Sequence, residues 1–441
     1  MSVTVTKDLT KCNRREMLSV ACAAALIAGC KSQDDPAEKP AAAKRSSVPL
    51  RVLWVGKQAE IDVVTRAWGS VMEQPLKVEL IEFDRSKPTG LNEQITAVAK
   101  KHDLIVYPIC AAADLGFADL LLPLGQKDID TSEENLGKVY TAVRNGAAKF
   151  GRDYTATSIG AQLPALLSVD EVENEIETWA EYHDWVKNEL SGAASEPLSN
   201  GWAGASFLWR AASSVKQSWL FGRERLEPLV DGDEFVAPLD QMLQTTKQYK
   251  NELRSPQEIW SGLQVGDLRG AIGFQVFSEE SSADINVSDC PGDSGKVMLD
   301  PFARVVSISA GCRQSAASKQ WMNWLSGGEG TESVRRQIDS MTITRSEAEF
   351  EGVESQQQIG SNYQRWLRER LNSSVHLASL RLLKADQYYS ILDQEITNCV
   401  NGKSKPKEAL QAVAANWQTL NKEVSLEKQQ RAWRRAKGMS G

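Results

Sequence analysis

The chain has 441 residues, of which 41% are hydrophobic and 25% are charged, and its formal net charge is −7. This composition is ordinary for a globular protein, and the acidic balance argues against nucleic acid as a partner. Beyond the first thirty residues no stretch is long and apolar enough to cross a bilayer, and the remaining roughly 400 residues suffice for two lobes with cores of their own.

The N-terminal residues have the pattern of an export signal. Arg14 and Arg15 precede an apolar run, Met17 to Gly29, that stops at Cys30. The run is too short to span a bilayer, and small residues precede the cysteine, which predicts a cleavable signal over residues 1–29. It resembles a lipoprotein signal, in which Cys30 becomes the lipidated first residue of the mature chain. A plain secretory signal is the alternative, and both the Sec and the twin-arginine routes stay open.

Residues 30–48 form a polar stretch rich in Pro, Ala and charge. Such a segment cannot bury enough apolar surface to fold, so we expect a flexible tether that holds the body a few nanometres from an anchored lipid. The predicted location is therefore outside the cytoplasm, in the periplasm or at the cell surface, with the N-terminal lipid as the membrane anchor.

Cysteines and histidines in the body are few and widely spaced: Cys110, Cys290, Cys312, Cys399, His102, His183 and His376. An exported location permits disulfides, and turn-forming residues after Cys290 could return the chain, which makes Cys290 with Cys312 the expected pair. Separate buried thiols are the alternative. No ligand spacing of a metal site is present, so we expect no metal and no cofactor.

Strand and helix patterns alternate from residue 49 onward. Apolar runs at 50–55, 76–80 and 103–108 indicate strands, and helical spacing of apolar residues at 61–71 and 91–98 indicates the helices between them. This βαβαβ order predicts a parallel sheet, with a ligand crevice in the loops that follow the strands. Those loops are 54–58, 84–85 and 107–110.

The rest of the chain is rich in helical patterns. Helices are predicted at 178–190, 235–249, 256–265 and 316–325, with strands at 271–277 and 305–310. Near the C-terminus, apolar residues at helical spacing continue on both sides of the turn 401–404. Two amphipathic helices joined so tightly are expected to pack as an antiparallel hairpin.

A family resemblance rests on three segments that span nearly the whole mature chain. The first segment is Asp103 to Pro108 with the later Leu121-Leu122-Pro123-Leu124, the second is Val306 to Ala310 with the helix ending in Trp324-Leu325-Ser326, and the third is the C-terminal hairpin. Together they resemble the extracellular solute-binding proteins of ABC transporters, in the cluster of the maltose-binding proteins. The resemblance implies an α/β, periplasmic-binding-protein-like fold: two α/β lobes, a multi-strand hinge and a C-terminal helical hairpin.

The resemblance also implies a lobe division and a working motion. We place the first lobe at 49–155 plus 298–344, and the second at 156–297 plus 345–441. A monomeric receptor of this kind closes around a small solute and presents it to the permease subunits of an ABC transporter, because a ligand that bridges both lobes stabilises the closed form.

In such a cleft we expect a sugar or oligosaccharide, held by aromatic faces and polar side chains. The aromatic candidates are Trp54, Tyr107, Trp202 and Trp209, and the polar candidates are Lys57, Asp84 and Gln275. Packing in the core is the alternative for each tryptophan. The chain lacks a Tyr-Asn pair that relatives carry at the first crossing between the lobes, so a lipoprotein that keeps the fold for sensing or scaffolding is a second interpretation.

An unrelated interpretation comes from Cys290 to Gly295, which matches the stretch around the nucleophile of trypsin-like serine proteases. Ser294 would then be the nucleophile of a hydrolase and would need a histidine base. His102 and His183 precede it, but neither lies in that family's context, and four turn-forming residues readily make a simple bend. No phosphate-binding or dinucleotide motif is present either, so we predict that the protein is not an enzyme.

Overall fold

The computed structural model describes residues 47–439 except 173–174, 214–219, 251, 277–283, 293–295, 328–333, 336, 347–360, 373–374 and 378. The chain divides into two units, residues 1–45 and residues 46–441, and the described residues all belong to the second. The predicted signal, Cys30, most of the tether and Ser294 lie outside the described residues. Within the described part, no helix has both the length and the apolar character that a membrane span requires.

The strands of the described chain are short, and most lie in two sheets. They are β1 (Leu50–Gly56), β2 (Leu76–Glu82), β3 (Leu104–Pro108), β4 (Lys149–Phe150), β5 (Asp153–Tyr154), β6 (Thr157–Ser158), β7 (Ala165–Ser168), β8 (Ala194–Ser195), β9 (Gly270–Gly273), β10 (Asn286–Ser288), β11 (Lys296–Met298), β12 (Arg304–Ile308) and β13 (Val375–Leu377).

The helices surround these sheets. They are α1 (Gln58–Val71), α2 (Leu91–Val98), α3 (Ala112–Phe117), α4 (Gln126–Leu136), α5 (Thr141–Gly146), α6 (Trp179–Asp184), α7 (Ala203–Ala212), α8 (Asp233–Thr246), α9 (Pro256–Gln264), α10 (Ser315–Gly327), α11 (Asn362–Leu371), α12 (Ala385–Val400), α13 (Pro406–Val424) and α14 (Leu426–Ala436).

The first sheet confirms the predicted βαβαβ order. Its strand order is β2-β1-β3-β12-β6, with β1 parallel to β2 and to β3, and with β12 antiparallel to both of its neighbours. Because β6 pairs with β12, residues 157–158 belong to this sheet, two residues beyond the end of the first lobe that the sequence suggested. The carboxyl ends of β1, β2 and β3 share one edge, which is where a ligand crevice is expected.

The second sheet has the order β10-β7-β9-β8 and lies on another part of the chain. β7 and β9 pair antiparallel, whereas β8 and β9 pair parallel. One apolar cluster includes Leu53 and Tyr107 from the first sheet together with Leu167 and Ala271 from the second, so the two lobes share a continuous core at the hinge side. The α/β, two-lobed architecture predicted from the sequence is therefore confirmed.

The C-terminal hairpin has the predicted form. α12 ends before Gly402, whose φ of +75° is the left-handed conformation that glycine adopts without a Cβ penalty, and α13 begins with Pro406 in its first turn. Trp417 of α13 donates its indole N–H to the carbonyl of Tyr388 on α12 at 3.0 Å. The hairpin also buries Leu392 and Val413 in a cluster with α7 and α8, and it thereby forms one wall of the second lobe.

Candidate binding site between the lobes

A cavity of about 430 Å³ opens between the loop that follows β2 and the second lobe. Its walls come from four segments: the loop at Arg85, the start of α7, the residues before β12, and one face of α12. The segments are distant in sequence but meet because β2 and β12 belong to the first sheet, whereas α7 and α12 pack together in the second lobe.

Arg85 crosses from the first lobe to the second. Its Nε donates to the carbonyl of Gly201 at 2.5 Å, and its Nη1 forms an ion pair with Asp300. The guanidinium also lies 3.6 Å from the ring centroid of Trp202 and 4.9 Å from that of Phe302. A planar cation over an aromatic face gains both electrostatic and stacking energy. Arg85 therefore joins the lobes and covers the tryptophan.

The turn that presents Arg85 is formed by Asp84. Oδ1 of Asp84 accepts hydrogen bonds from the backbone N–H of Ser86 at 2.9 Å and from the Ser86 hydroxyl at 2.7 Å. These hydrogen bonds lower the pKa of Asp84. Asp84, a predicted ligand-binding candidate, thus stabilises the conformation of the loop, because its carboxylate is hydrogen-bonded to Ser86.

Gly201 is required where the Arg85 loop approaches α7. Its φ is +88°, and a Cβ at this position would lie 2.9 Å from the carbonyl carbon of Arg85. Any side chain would therefore be strained and would push the two lobes apart.

Asp393 on α12 holds the start of α7 from the other side. Its carboxylate accepts the backbone N–H groups of Gly201 at 2.7 Å and Gly204 at 3.0 Å, as an acid near a helix N-terminus commonly does. Burial raises the pKa of Asp393, although these hydrogen bonds oppose the shift. The result is a rigid α7–α12 corner with one face open to the cavity.

The face of α12 that lines the cavity is polar along its length, with Ser390, Asp393, Gln394, Thr397, Asn398 and Asn401 on it. Three- and four-residue steps place such residues on one side of a helix. Oγ1 of Thr397 is buried and has no hydrogen-bond partner among the described residues. Phe302 and Tyr389 add aromatic surface to the same walls. This combination suits a small, hydroxyl-rich ligand, whose apolar faces and hydroxyls both find partners.

The structure corrects the prediction for Trp54 and Tyr107. β1 continues to Gly56 and β3 to Pro108, so both side chains belong to central strands and not to the loops after them. Trp54 is 1% exposed and donates to Glu60 at 3.0 Å, and Tyr107 is fully buried against Ser307 at 2.9 Å, where burial raises its pKa to about 12. Both residues pack the core.

The remaining aromatic candidates lie together. Trp202 is half-buried, with its ring centroid 5.5 Å from that of Phe274 and 6.4 Å from that of Trp209. Trp209 itself is buried, so it supports Trp202 from behind and offers little face of its own. Gln275, next to Phe274, is also buried, and its amide oxygen accepts the Ser361 hydroxyl at 2.6 Å.

Lys57 lies apart from this group. It is exposed at the start of α1, and its backbone N–H donates to Glu60 at 3.0 Å. Its side chain is near Asp339, whose pKa is raised by burial and which bonds Gln257 of α9 in the second lobe. Lys57 therefore belongs to another contact between the lobes.

The predicted disulfide is absent. Cys312 packs with the first-lobe helices, and its Sγ lies 3.3 Å from the Ser318 hydroxyl, whereas Cys290 packs beside Trp179 in the second lobe. The two thiols belong to different lobes, which is why the bend after Cys290 does not bring them together. Among the described residues, no three His, Cys, Asp or Glu side chains gather as a metal ion would require.

The histidines that the hydrolase interpretation needs are engaged elsewhere. His102 contacts the carbonyl of Val98 at 3.1 Å and Glu79 at 3.2 Å, and His183 contacts Thr245 at 3.4 Å. Both ring nitrogens of His102 are thus engaged, and His183 contacts a threonine hydroxyl, so neither histidine has the arrangement of a general base between a carboxylate and a nucleophile.

Solved structures with the same fold include several binding proteins. The chain is similar to maltose-bound MalE3 of T. maritima, with 13% identity and a TM-score of 0.63 over 85% of this chain and 100% of that chain. It is also similar to the GacH receptor of Streptomyces glaucescens, solved unliganded and with acarbose, with 12% identity and a TM-score of 0.61 over 86% and 100% of the two chains.

A third similar structure is an ABC transporter solute-binding protein of Agrobacterium vitis with bound D-mannitol, with 14% identity and a TM-score of 0.64 over 86% of this chain and 99% of that chain. No family model and no curated protein matches the sequence. The chain therefore has the periplasmic-binding-protein-like fold of ABC transporter solute-binding proteins, as the sequence resemblance implied.

Proposed function

We propose that this protein is a non-catalytic, extracytoplasmic receptor that binds a sugar or polyol between its two lobes and delivers it to an ABC permease. The observation that carries the proposal is the cavity at Arg85, which is bounded by both lobes and lined by the polar face of α12 with Phe302 and Tyr389. The similar solved structures hold maltose, acarbose and D-mannitol, which supports a ligand rich in hydroxyl groups.

The proposal includes the membrane anchor. A receptor tethered through a lipid on Cys30 stays close to its permease, and this proximity raises the effective concentration for delivery. The lipid on Cys30, the permease and the lobe boundaries at 155, 298 and 344 are proposed from the sequence alone.

The first test is a thermal-shift screen of residues 31–441 against sugars, polyols, amino acids and anions. A ligand that binds only the folded state raises the melting temperature, by an amount that grows with the logarithm of its concentration above Kd. We expect a hit among the sugars or polyols. A hit confined to amino acids or anions would contradict the ligand class, and the absence of any hit would contradict the receptor.

The second test assigns the hit to the cavity. Thr397→Val removes the buried hydroxyl that has no partner, and we expect the Kd of the hit to rise roughly 3- to 10-fold, as for one lost hydrogen bond. Thr419→Val is the matched control, since Thr419 is exposed on α13 and bonds the carbonyl of Ala415. Equal affinities of the two variants in calorimetry would place the ligand elsewhere.

A sensing or scaffolding lipoprotein is the second candidate, and one observation favours it. Arg85 links the lobes directly, through the carbonyl of Gly201 and the ring of Trp202. Small-angle scattering separates the two functions: a transport receptor becomes more compact with its ligand, whereas a scaffold held by Arg85 does not.

A further inference from the structure

A basic surface on the last helix stands out on this acidic chain. Residues 426–437 carry five basic side chains and one acidic one, whereas the whole chain has a net charge of −7. Lys428, Arg431, Arg434 and Arg435 of α14 are all exposed. A local excess of one charge against the overall balance points to a partner of the opposite charge.

α14 is firmly seated on the body, so this surface is a fixed one. Gln429 is buried and makes two hydrogen bonds with the backbone of Leu383, at 2.9 and 3.0 Å. Ala432 is buried as well, and Trp433 packs against the core of the second lobe. The opposite side of the helix therefore faces outward with Arg431 and Arg434.

The two outermost cations lack a counter-ion among the described residues. Arg435 forms an ion pair with Asp119, but no carboxylate of the described residues lies within ion-pair distance of Arg431 or Arg434. Lys428 extends over the ring of Phe117, 6.0 Å from its centroid. Glu427 is the one acidic neighbour on the helix itself.

Neighbouring loops extend the basic surface on both sides. Gln430 bonds the carbonyl of Glu224 at 3.1 Å, which brings the exposed Arg223 and Arg225 beside α14, with the exposed Glu224 between them. On the other side Arg152 donates to the carbonyl of Gly438 at 3.0 Å. Burial lowers the pKa of Lys437, and the nearby cations Arg381 and Arg223 lower it further. We call Lys428, Arg431, Arg434, Arg152, Arg223 and Arg225 the basic face.

Two apolar side chains mark its ends. Leu426 at the start of α14 is 42% exposed, and Met439 just beyond the helix is 44% exposed. Basic side chains with exposed apolar ones beside them suit a bilayer surface, where cations meet phosphate groups and apolar side chains enter the headgroup region.

We propose that the basic face docks the body onto an anionic phospholipid surface and so fixes its orientation. The signal and tether of the sequence place the body near a bilayer, but a flexible tether gives it no preferred orientation. The cations of α14, Arg152 and the 223–225 loop supply that preference. This surface lies outside the cavity-lining residues, so it acts independently of the solute.

The test uses residues 31–441, which contain the whole compact unit and lack the lipid. Wild-type protein is sedimented with vesicles of phosphatidylcholine alone and with vesicles that also contain phosphatidylglycerol. We expect binding to the second kind only, weakening as salt is raised. Arg431→Gln with Arg434→Gln should weaken the partition roughly 10- to 30-fold, as for the loss of two cations near a charged surface.

The control removes two exposed cations elsewhere, through Arg66→Gln on α1 and Lys187→Gln after α6. Equal loss in the control, or equal binding to both kinds of vesicle, would overturn the proposal. Polyglutamate and duplex DNA are added as competitors at matched charge. If either binds as strongly as the phosphatidylglycerol vesicles, the face is a general polyanion surface and the membrane assignment fails. The melting shift caused by a solute should stay unchanged in the double variant.

Discussion

Two arginines in this protein lie over tryptophan rings and pair with acids, yet they differ in surroundings. Arg210 is 3.8 Å from the ring centroid of Trp179 and bonds Glu196, with side-chain exposures of 0% and 1%. The Arg85 guanidinium is 3.6 Å from the ring centroid of Trp202 and pairs with Asp300, and the side chains of Arg85 and Asp300 are 13% and 12% exposed. The first set lies entirely within the second lobe, whereas in the second set Arg85 and Asp300 belong to the first lobe and Trp202 belongs to the second. The same chemical set is therefore sealed in the first case and reached by water in the second, so we expect the second contact to be the releasable one.

The largest expected effect is at the sealed pair. Arg210→Ala leaves the buried Glu196 without its guanidinium partner, with Tyr249 as the side-chain donor that remains among the described residues, at 2.9 Å, and should lower the free energy of unfolding by about 3–5 kcal/mol. Urea denaturation measures this loss. Because a neutral replacement of both partners removes the buried charges, Glu196→Gln with Arg210→Met should recover much of it. A double variant as unstable as Arg210→Ala would show that packing against Trp179 dominates.

A buried carboxyl cluster between the lobes should make stability depend on pH. Asp114 bonds Asn92 at 2.8 Å, and Asp386 accepts the backbone N–H of Asn92 at 3.2 Å. Burial raises the pKa of Asp114 to about 7 and that of Asp386 to about 6. The folded state thus holds protons that the unfolded chain releases near pH 4, so this stability is complete below pH 4 and is lost as the pH rises to about 7.

Asp386→Asn tests this dependence. Relative to the wild type, the variant should gain stability between pH 4 and pH 8, by an amount on the order of 1–3 kcal/mol, in urea denaturation at each pH. Asp84→Asn is the control, because the pKa of Asp84 is lowered and its contribution stays constant above about pH 5. Parallel pH curves for the wild type and Asp386→Asn would contradict the prediction.

The releasable pair should matter more for shape than for stability. Arg85→Ala should cost roughly 1–2 kcal/mol, since Arg85 and Asp300 are more accessible to water than Arg210 and Glu196. The same variant should increase the radius of gyration of the unliganded protein in small-angle scattering, because the contacts to Gly201 and Trp202 are lost. Arg66→Ala, on the exposed side of α1, should change neither quantity. An unchanged radius for Arg85→Ala would mean that the shared core alone holds the lobes together.

The smallest effect is expected from reduction. Cys290 and Cys312 are not bonded to each other, so a thiol reductant should change the free energy of unfolding by less than about 0.5 kcal/mol. Titration with a thiol reagent in denaturant should detect all four cysteines of residues 31–441 without prior reduction. Detection of only two thiols would contradict this prediction and would indicate a disulfide.

The fold was predictable because its signals are local. The apolar runs of β1 and β3 and the helical spacing of α12 and α13 can each be recognised within a short window, and their order specifies the parallel sheet and the hairpin. Trp54 was misplaced because the predicted loop, 54–58, overlaps the end of β1, which continues to Gly56. In a strand covered on both faces, alternate residues enter different cores, and Trp54 joins Leu50 and Val52 in one of them.

The site was only partly predictable because its contacts are distant in sequence. The loop at residues 84–85 and Trp202 were both recognised as crevice candidates, but nothing local indicates that Arg85 lies on Trp202 or pairs with Asp300. Asp393 was not predicted as a site residue, although the sequence pattern around it indicates a polar helix face. The polar residues at 390, 393, 397 and 401 follow helical spacing on the side opposite the apolar residues of α12.

The position of β12 in the first sheet has a consequence for synthesis. β12 lies between β3 and β6, yet roughly 200 residues separate it from β3 along the chain. At ribosomal rates of about 5–20 residues per second, the nascent sheet waits roughly 10–40 s for the strand that completes it. During that interval β3 has an unpaired edge, and the first lobe is not yet completely folded. Topology thus leaves the first sheet incomplete until β12 has been synthesised.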